Sequence, residues 1–334
     1  MDHEEVAIRR GRRSGLTMVI AAHSRVLGPA VGGVRLRRYD DWRDGVEDAL
    51  RLSEAMTYKC AAANLPFGGG KSVLVADGAI IGDAREAALA DLGEFIADLD
   101  GSYLAGPDVG TGPADMAVLR RWTPHVFCLP EDQGGTGSSS GPTALGVLAA
   151  LRAGTRAVFG DDSLAARTVV ISGLGSVGTY LARHLAAAGA KVLVSDVDDR
   201  KRALAEEWGL GWVEPTEALS TSADILVPAG VGGVVGLDTE FPLIVGPANN
   251  QLTLEAVADE LARRGVVWIP DFVASAGGVV YTLGREVERL THDQALARVA
   301  AIESTVDELL AAARARGTTP LAEAMGLARD RLEG

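Results

Sequence analysis

Residues 168–196 read TVVISGLGSVGTYLARHLAAAGAKVLVSD, and this stretch decides the fold. Its two short apolar runs, Thr168–Ser172 and Lys191–Ser195, are typical of buried strands, and the residues between them have the apolar spacing of a helix. A glycine-rich turn joins the first strand to that helix. The order strand, helix, strand indicates a parallel sheet with crossover helices.

The turn has the spacing GxGxxG, which indicates a dinucleotide site when it lies between a strand and a helix. Gly173 permits the tight turn, Gly175 lets the backbone approach a pyrophosphate, and Gly178 lets the helix pack closely on the strand. Ser176 and Val177 begin the helix, whose free N–H groups and dipole favour phosphate. The alternative is a glycine-rich turn that binds no nucleotide.

Asp196 follows the second strand, about twenty residues after the first glycine, where such motifs carry an acidic residue. A carboxylate there accepts hydrogen bonds from the ribose hydroxyls of the adenosine half and repels a 2′-phosphate. We therefore expect NAD rather than NADP. Arg200 and Lys201 follow closely and offset part of that repulsion.

Outward from this motif the same alternation continues. Helices are predicted at 46–58, 84–98, 114–122, 143–159, 177–188, 200–208 and 294–314, and strands at 72–76, 102–104, 223–227, 243–245 and 266–269. The Gly- and Ser-rich segment 132–141 buries little and is the predicted hinge. We expect an α/β protein of two domains: an α/β domain at 1–136, on which residues from about 305 to 334 pack back, and a doubly wound Rossmann-type NAD domain at 137–304.

Composition limits the function classes. The chain has 334 residues, a formal net charge of -13 and no basic run, which argues against nucleic acid or an anionic membrane surface as a partner. Residues 1–13 contain no apolar segment of the signal-peptide kind, so a cytoplasmic protein is expected. The two cysteines, Cys60 and Cys128, are expected to be reduced thiols, and no metal site is predicted.

Lysine is rare, since only four of the 32 basic residues are lysines. Two of them, Lys59 and Lys71, lie in one short segment, at the predicted end of a helix and at the entrance of a strand after the glycine loop 68–70. Arginine cannot lose its proton at working pH, whereas lysine can act as a base when its pKa is lowered. Lys59 and Lys71 are therefore candidate functional residues, and Asp108, at the exit of a predicted strand, is a third.

Over nearly the whole chain the sequence resembles the Glu/Leu/Phe/Val dehydrogenase family. The order and spacing of several separated motifs carry the resemblance besides the nucleotide loop: GPAVGG at 28–33, MTYK at 56–59, PFGGGK at 66–71, GPDV at 106–109, ANN at 248–250 and PDFV at 270–273.

The resemblance implies a reaction and a set of roles. An apolar L-amino acid is oxidised by NAD to its 2-oxo acid and ammonia. Residues 1–136 form the substrate-binding and catalytic domain, and the cleft that separates it from the NAD domain closes about the hinge to bring substrate and nicotinamide together. Lys71 is then the catalytic lysine, and Asp108 takes the proton from the substrate ammonium. The groups implied for the substrate α-carboxylate are Lys59, Gly32, Gly33 and Asn249. A neutral Lys71 activates the water that hydrates the iminium, with its pKa lowered by burial and by the nearby cation of Lys59.

The resemblance also places residues around the nicotinamide. Thr143 resembles the family threonine that contacts the cofactor. Three departures lie nearby: Ala229-Gly230 stands where the family usually has Cys-Ala, Pro247 interrupts an alanine pair, and Ser275 replaces an asparagine.

The implied side-chain pocket contains Val31, Gly106, Val279 and Thr282. Gly106 leaves room for a ring. The motifs GPD at 106–108, ANLP at 63–66 and GRE at 284–286 resemble the phenylalanine branch of the family more than the leucine branch, so phenylalanine is favoured over leucine or valine. Thr282 puts a hydroxyl in an apolar pocket, where it has a desolvation cost unless it contacts a polar substrate atom such as a tyrosine hydroxyl.

Three alternatives differ from this hypothesis. Leucine or valine replaces phenylalanine in the first. Glutamate is the substrate in the second, which the implied pocket disfavours because it offers no cation for a side-chain carboxylate. The third is a non-catalytic NAD-binding regulator, against which the presence of Lys59, Lys71 and Asp108 together argues. A homo-oligomer is expected from the family.

Overall fold

The computed structural model describes residues 2–334, which cluster into two units. The first unit contains residues 2–139 with Thr282–Thr291 and Leu327–Gly334, and the second contains Ser140–Tyr281 with His292–Gly326. The division at residue 139 lies inside the predicted hinge segment 132–141. Of the C-terminal residues 305–334 that were expected to pack on the first unit, only Leu327–Gly334 belong to it.

The reason for that difference is the packing of one C-terminal helix. Residues Ile302–Arg316 form a helix that belongs to the second unit, where Glu303 and Asp307 both accept hydrogen bonds from Arg156. A methyl group of Ile302 also lies 2.9 Å from the position that a Cβ on Gly146 would take. Apolar packing and ion pairs thus hold this helix within the nucleotide-binding unit.

The first unit is a mixed sheet covered by helices. Its strands are β1 (Glu5–Arg10), β2 (Thr17–Ser24), β3 (Ala30–Arg38), β4 (Gly68–Ala76) and β5 (Tyr103–Pro107), and its helices are α1 (Trp42–Ala62), α2 (Gly82–Ala97), α3 (Pro113–Leu119) and a short 3₁₀ helix (Glu131–Gln133). The strand order is β1-β2-β4-β3-β5. β3 runs parallel to both β4 and β5, so the carboxyl end of β5 lies beside β3.

Burial and capping explain the main elements of this unit. Leu74, Leu92, Phe95 and Tyr103 belong to a core cluster that the strands share with α2 and α3. α1 begins after Asp41, whose side chain accepts a hydrogen bond from the Arg43 N–H at 2.9 Å and so satisfies one free donor of the first turn.

The second unit is a six-stranded parallel sheet with the order β11-β10-β9-β6-β7-β8. Its strands are β6 (Thr168–Ser172), β7 (Lys191–Ser195), β8 (Gly211–Trp212), β9 (Ile225–Pro228), β10 (Leu243–Ile244) and β11 (Val267–Trp268). Its helices are α4 (Ser140–Phe159), α5 (Ser176–Ala187), α6 (Lys201–Glu207), α7 (Val257–Arg263), α8 (Asp271–Ala274), α10 (His292–Ala300) and α11 (Ile302–Arg316). Helices α9 (Gly277–Glu286) and α12 (Pro320–Glu333) have residues in both units.

This architecture confirms the predicted α/β class with a Rossmann-type parallel sheet. The predicted strands 168–172 and 191–195 coincide with β6 and β7. The single helix predicted at 294–314 is wrong in one respect, because α10 and α11 are separate helices with Ala301 between them.

Three further features of residues 2–334 bear on function. None of their helices combines the length and apolar character needed to cross a membrane. Among the same residues, no group of three or more His, Cys, Asp or Glu side chains is arranged to hold a metal ion. Cys60 and Cys128 are buried free thiols.

Candidate active site

The three glycines before Lys71 lie in a strand. Gly68–Gly70 belong to β4 and pair with β2 and β3, so the expectation of a glycine loop is wrong. A Cβ on Gly69 would lie 2.1 Å from the Thr57 nitrogen of α1, and one on Gly70 would lie 2.7 Å from the Tyr103 ring. The glycines therefore let β4 approach α1 and Tyr103 at backbone distance.

Lys71 and Asp108 are brought into contact by the order of the strands. Lys71 lies on β4 and Asp108 directly follows β5, and β3 separates those two strands. Lys71 Nζ lies 2.8 Å from Asp108 Oδ2, with side chains 6% and 20% exposed. Gly33 on β3 leaves space between them, since a Cβ there would lie 3.3 Å from Lys71 Nζ and 2.7 Å from Asp108 Cβ. Lys71, Asp108 and Gly33 therefore lie in one site.

The pKa of both reactive groups is lowered, by burial for Lys71 and by neighbouring cations for Asp108. Burial lowers the pKa of the Lys71 amine; the Asp108 carboxylate opposes that effect, and the Arg35 cation adds to it. Burial alone would raise the pKa of Asp108, but the charges of Lys71 and Arg35 outweigh it and hold that pKa below its ordinary value. Arg35 is a cation that sequence reasoning did not expect here, and the effect expected of Lys59 on the pKa of Lys71 stays a prediction.

Sequence reasoning missed Arg35. Its Nε donates to Asp108 Oδ2 at 2.7 Å, so it and Lys71 bind the same carboxylate oxygen. The signal that could have identified it is the strand period of two, because residues 33 and 35 of one strand face the same side.

The residues implied in binding the substrate carboxylate occupy three places. Lys59 is half-buried in the last turn of α1. Gly32 is buried on β3, where a Cβ would lie 1.8 Å from the Gly70 carbonyl oxygen. Asn249 is exposed in the second unit. Their roles as ligands of the substrate stay predictions.

The space beside Gly106 is occupied by an aromatic ring. A Cβ on Gly106 would lie 2.4 Å from Cζ of Phe127, which is 6% exposed. The expectation that this glycine leaves room for a substrate ring is therefore wrong as stated, because the room that it leaves is filled by Phe127. Val31 is fully buried in β3, and Val279 is half-buried on α9.

Thr282 has a polar partner within the first unit. Its side chain is buried at 1% exposure and forms a hydrogen bond with the Cys128 thiol. That bond offsets the desolvation cost expected for the hydroxyl in an apolar pocket. The neighbouring segment is held by Glu286, which accepts hydrogen bonds from the N–H groups of Cys128 at 3.0 Å and Thr136 at 2.8 Å.

The glycine loop of the second unit has the shape that a dinucleotide needs. Gly173 has φ +114°, and a Cβ there would lie 2.5 Å from the Gly230 nitrogen. A Cβ on Gly178 would lie 2.0 Å from the Gly173 carbonyl oxygen, so α5 packs closely on β6. Gly175 has nothing within 4 Å of its Cβ position, and Ser176 beside it is exposed. The backbone at Gly175 is therefore open to a phosphate group.

Asp196 is bonded to the same loop. Its Oδ2 accepts hydrogen bonds from the Leu174 N–H at 2.7 Å and from Lys201 Nζ at 2.8 Å. Burial alone would raise the pKa of Asp196, but these bonds outweigh it and lower that pKa. The carboxylate is thus ionised and fixed, and Lys201 compensates its charge.

The implied nicotinamide contacts also lie in the second unit. Ser275 ends α8, and its hydroxyl is buried without a hydrogen-bond partner among residues 2–334. A buried hydroxyl without a partner is costly unless a ligand supplies one, so Ser275 fits a site for a polar cofactor group. Thr143 is half-buried in the first turn of α4, and Ala229 donates its N–H to the Ser172 carbonyl at 2.8 Å.

Comparison with known families agrees with this geometry. Residues 3–125 match the family described as Glu/Leu/Phe/Val dehydrogenase, dimerisation domain, and residues 202–325 match Glutamate/Leucine/Phenylalanine/Valine dehydrogenase. Residues 148–229 match the NAD binding domain of D-isomer specific 2-hydroxyacid dehydrogenases. The chain therefore joins an amino-acid dehydrogenase substrate region to an NAD-binding region.

Similar proteins extend the match to nearly the full length. Leucine dehydrogenase of Geobacillus stearothermophilus is 35% identical over 99% of this chain and 91% of its own. Valine dehydrogenase of Streptomyces albus is 39% identical over 99% of this chain and 92% of its own. Phenylalanine dehydrogenase of Lysinibacillus sphaericus is 39% identical over 84% and 75%.

Among solved structures, L-tryptophan dehydrogenase from Nostoc punctiforme superposes with a TM-score of 0.82 and 32% identity, covering 99% of this chain and 96% of its own. The fold and site define an NAD-dependent amino-acid dehydrogenase. The chain belongs to the Glu/Leu/Phe/Val dehydrogenase family.

Proposed function

We propose that this chain oxidatively deaminates an apolar L-amino acid, with phenylalanine preferred, to the 2-oxo acid and ammonia, in a reversible reaction. The observation that carries the proposal is the buried contact of 2.8 Å between Lys71 Nζ and Asp108 Oδ2. A carboxylate and an amine of lowered pKa, held together beside the backbone of Gly33, supply two proton acceptors at one place.

Asp108 performs the first proton transfer. Its lowered pKa keeps it ionised at neutral pH, so it accepts a proton from the substrate ammonium. The freed lone pair forms the C=N bond as Cα loses hydride. The loop Gly173–Gly178 would hold NAD, which would supply the hydride acceptor. Lys59, with Gly32 and Gly33, holds the α-carboxylate so that Cα is presented in one orientation.

Lys71 performs the second set of proton transfers. Its burial favours the neutral amine, which takes a proton from the water that adds to the iminium carbon. The amine returns that proton to the nitrogen of the carbinolamine, the C–N bond breaks and ammonia leaves. Lys71 then takes the hydroxyl proton as the carbonyl forms.

The preference for phenylalanine rests on the motifs around Gly106, Leu65 and Glu286, which resemble the phenylalanine branch. A specific observation favours leucine or valine as the second candidate: Phe127 fills the space beside Gly106 and so reduces the room for a substrate ring. The names of the similar proteins are consistent with either substrate, since they include leucine, valine and phenylalanine dehydrogenases.

The test is NADH formation with a panel of L-amino acids in the presence of ammonia-free buffer. We expect turnover with phenylalanine, leucine and valine, and none with glutamate. A preference for valine or leucine over phenylalanine of about tenfold in kcat/KM, which corresponds to about 1.4 kcal/mol, contradicts the preferred substrate but not the reaction. Absence of turnover with every amino acid supports the regulator instead.

We also propose a homo-oligomer. The support is the description of the family that matches residues 3–125 as a dimerisation domain. Light scattering of the purified chain decides this point, and a monomer at micromolar concentration contradicts it.

A further inference from the structure

One arginine connects the two candidate catalytic groups to the helix behind them. The Arg35 side chain leaves β3 on the same side as Gly33, toward Lys71 and Asp108. Its Nε donates to Asp108 Oδ2 at 2.7 Å and its Nη1 donates to Asp48 Oδ2 at 2.7 Å. The side chain is 11% exposed, so both bonds form largely out of contact with water.

Asp48 is a fixed anchor for this arginine. It lies on α1 and accepts further hydrogen bonds from the Tyr39 hydroxyl at 2.7 Å and from Arg51 at 2.6 Å. Burial alone would raise the pKa of Asp48, but these bonds and the Arg35 cation lower it to about 2. Asp48 therefore stays ionised through the working pH range and holds one end of the guanidinium.

The other end of the Arg35 guanidinium binds the same Asp108 oxygen as Lys71. Arg35 Nε and Lys71 Nζ both bind Oδ2 of Asp108. Arginine does not release its proton, so its charge at this place is permanent. A permanent cation beside Lys71 and Asp108 disfavours a proton on either of them.

We propose that Arg35 is a positioning residue: it fixes the Asp108 carboxylate against the Lys71 amine, and its permanent charge keeps both groups ready to accept protons. This proposal rests on the proposed function, since it assigns Arg35 a purpose only if Lys71 and Asp108 carry the chemistry. Arg35 itself transfers no proton.

Other charged or titratable groups around this site come from neighbouring elements. They are Asp48 and Arg51 on α1, Tyr39 and Arg37 at the end of β3, and Tyr103 on β5. Burial raises the pKa of both Tyr39 and Tyr103 above the working range, so these phenols stay neutral. Asp48 raises the pKa of Lys71, whereas Arg35 lowers it.

The test is the pH profile of kcat/KM. Turnover needs Asp108 ionised and Lys71 neutral, so activity rises with pH along the acid limb. In Arg35→Gln both pKa values rise, and we expect the acid limb to move upward by about one to three pH units, with kcat at least about tenfold lower at neutral pH. Arg35→Lys retains the charge and should retain the position of the limb, with a smaller loss of kcat because lysine cannot bond both carboxylates in the same fork.

Two further variants separate this role from a structural one. Asp48→Asn removes the anchor but keeps the arginine charge, so its acid limb should stay in place or move downward. Arg13→Gln is the matched control, because Arg13 also bridges two carboxylates of the first unit, Asp91 and Glu94. Its limb should coincide with that of the wild type.

The outcomes distinguish this inference from the proposed function. Lys71→Ala is measured in parallel: if it keeps near wild-type kcat, the proposed function fails. If Lys71→Ala is inactive while the limb of Arg35→Gln stays in place, the inference alone is overturned. Should Arg35→Gln fail to fold by circular dichroism, Arg35→Lys and Asp48→Asn decide, and an upward shift of the limb in either one overturns the inference.

Discussion

The ring of Phe127 occupies the space that a side chain on Gly106 would need, with Cζ 2.4 Å from the Cβ position. The glycine and the aromatic residue therefore form one structural pair. Any change in the size of residue 106 acts first on Phe127. The side-chain pocket must be understood from that pair and not from the glycine alone.

We expect Gly106→Ala to displace the Phe127 ring and to shift substrate preference from aromatic toward branched aliphatic amino acids. One methylene in such a pocket changes discrimination by roughly 1 to 3 kcal/mol. The measurement is the ratio of kcat/KM for phenylalanine and leucine. The double variant Gly106→Ala with Phe127→Leu tests the coupling, because a smaller residue 127 should restore the wild-type ratio in part. Additive effects would contradict a steric link between the two residues.

We expect Lys71→Ala to lower kcat by about 10²- to 10⁴-fold, the usual loss when a base is removed. NAD binding should be retained, since the glycine loop belongs to the second unit. Assays of NADH formation measure kcat, and fluorescence titration with NAD measures cofactor binding. Lys191→Ala, an exposed lysine at the start of β7, is the control and should be fully active. A Lys71→Ala enzyme that turns over normally would remove the catalytic assignment.

We expect Lys59→Ala chiefly to raise KM for the amino acid. A charge-assisted hydrogen bond contributes about 1.5 to 3 kcal/mol, which corresponds to about 10- to 150-fold in affinity. A sharper measurement compares each amino acid with its carboxamide, which lacks the carboxylate. The wild type should discriminate strongly between them and the variant should not. Equal discrimination in both proteins would assign the carboxylate to another group.

We expect Asp196 and Lys201 to affect cofactor choice in opposite directions. Asp196→Ala removes the carboxylate that repels a 2′-phosphate, so the preference for NAD over NADP should relax. Lys201→Ala removes the ammonium bonded to that carboxylate at 2.8 Å, so the preference should become stricter. The ratio of kcat/KM for the two cofactors is the measurement. Changes of the same sign in both variants would show that the ion pair does not set the preference.

We expect Asp91 to link stability to pH. Its side chain is 2% exposed and accepts hydrogen bonds from the Ser14 N–H at 2.8 Å and from Arg13 Nη1 at 2.9 Å. Burial alone would raise the pKa of Asp91, but these bonds outweigh it and lower that pKa. The folded pKa is below the unfolded value of about 3.9, so this stability is complete above that value and is lost as pH falls through the folded pKa.

Asp91→Asn should therefore lower the free energy of unfolding by about 1 to 3 kcal/mol at neutral pH, because Ser14 and Arg13 lose a buried, charged acceptor. It should also flatten the dependence of stability on pH below about 5. Urea unfolding at several pH values measures both effects. Asp98→Asn at the end of α2 is the control, since that carboxylate is 61% exposed. Equal losses in the two variants would contradict a role for burial.

The sequence by itself determined the elements whose signals are local. The apolar runs of β6 and β7 and the GxGxxG turn between them identify a parallel sheet with a dinucleotide loop, because strand length, helix period and glycine spacing act over a few residues. The rarity of lysine identified Lys59 and Lys71, since a proton acceptor must be able to lose its proton. Asp108 followed from its place at the exit of a strand.

Only the tertiary structure decided which groups meet. The strand order β4-β3-β5 places Asp108 beside Lys71, and nothing in the spacing of those residues along the chain states that order. The same order brings the Arg35 cation close enough to help lower the pKa of Lys71. Glycines 68–70 read as a loop because glycine is rare in strands, yet they form β4 because α1 and Tyr103 approach too closely for any side chain. Close packing and electrostatic effects depend on distances between residues far apart in sequence, which local patterns do not contain.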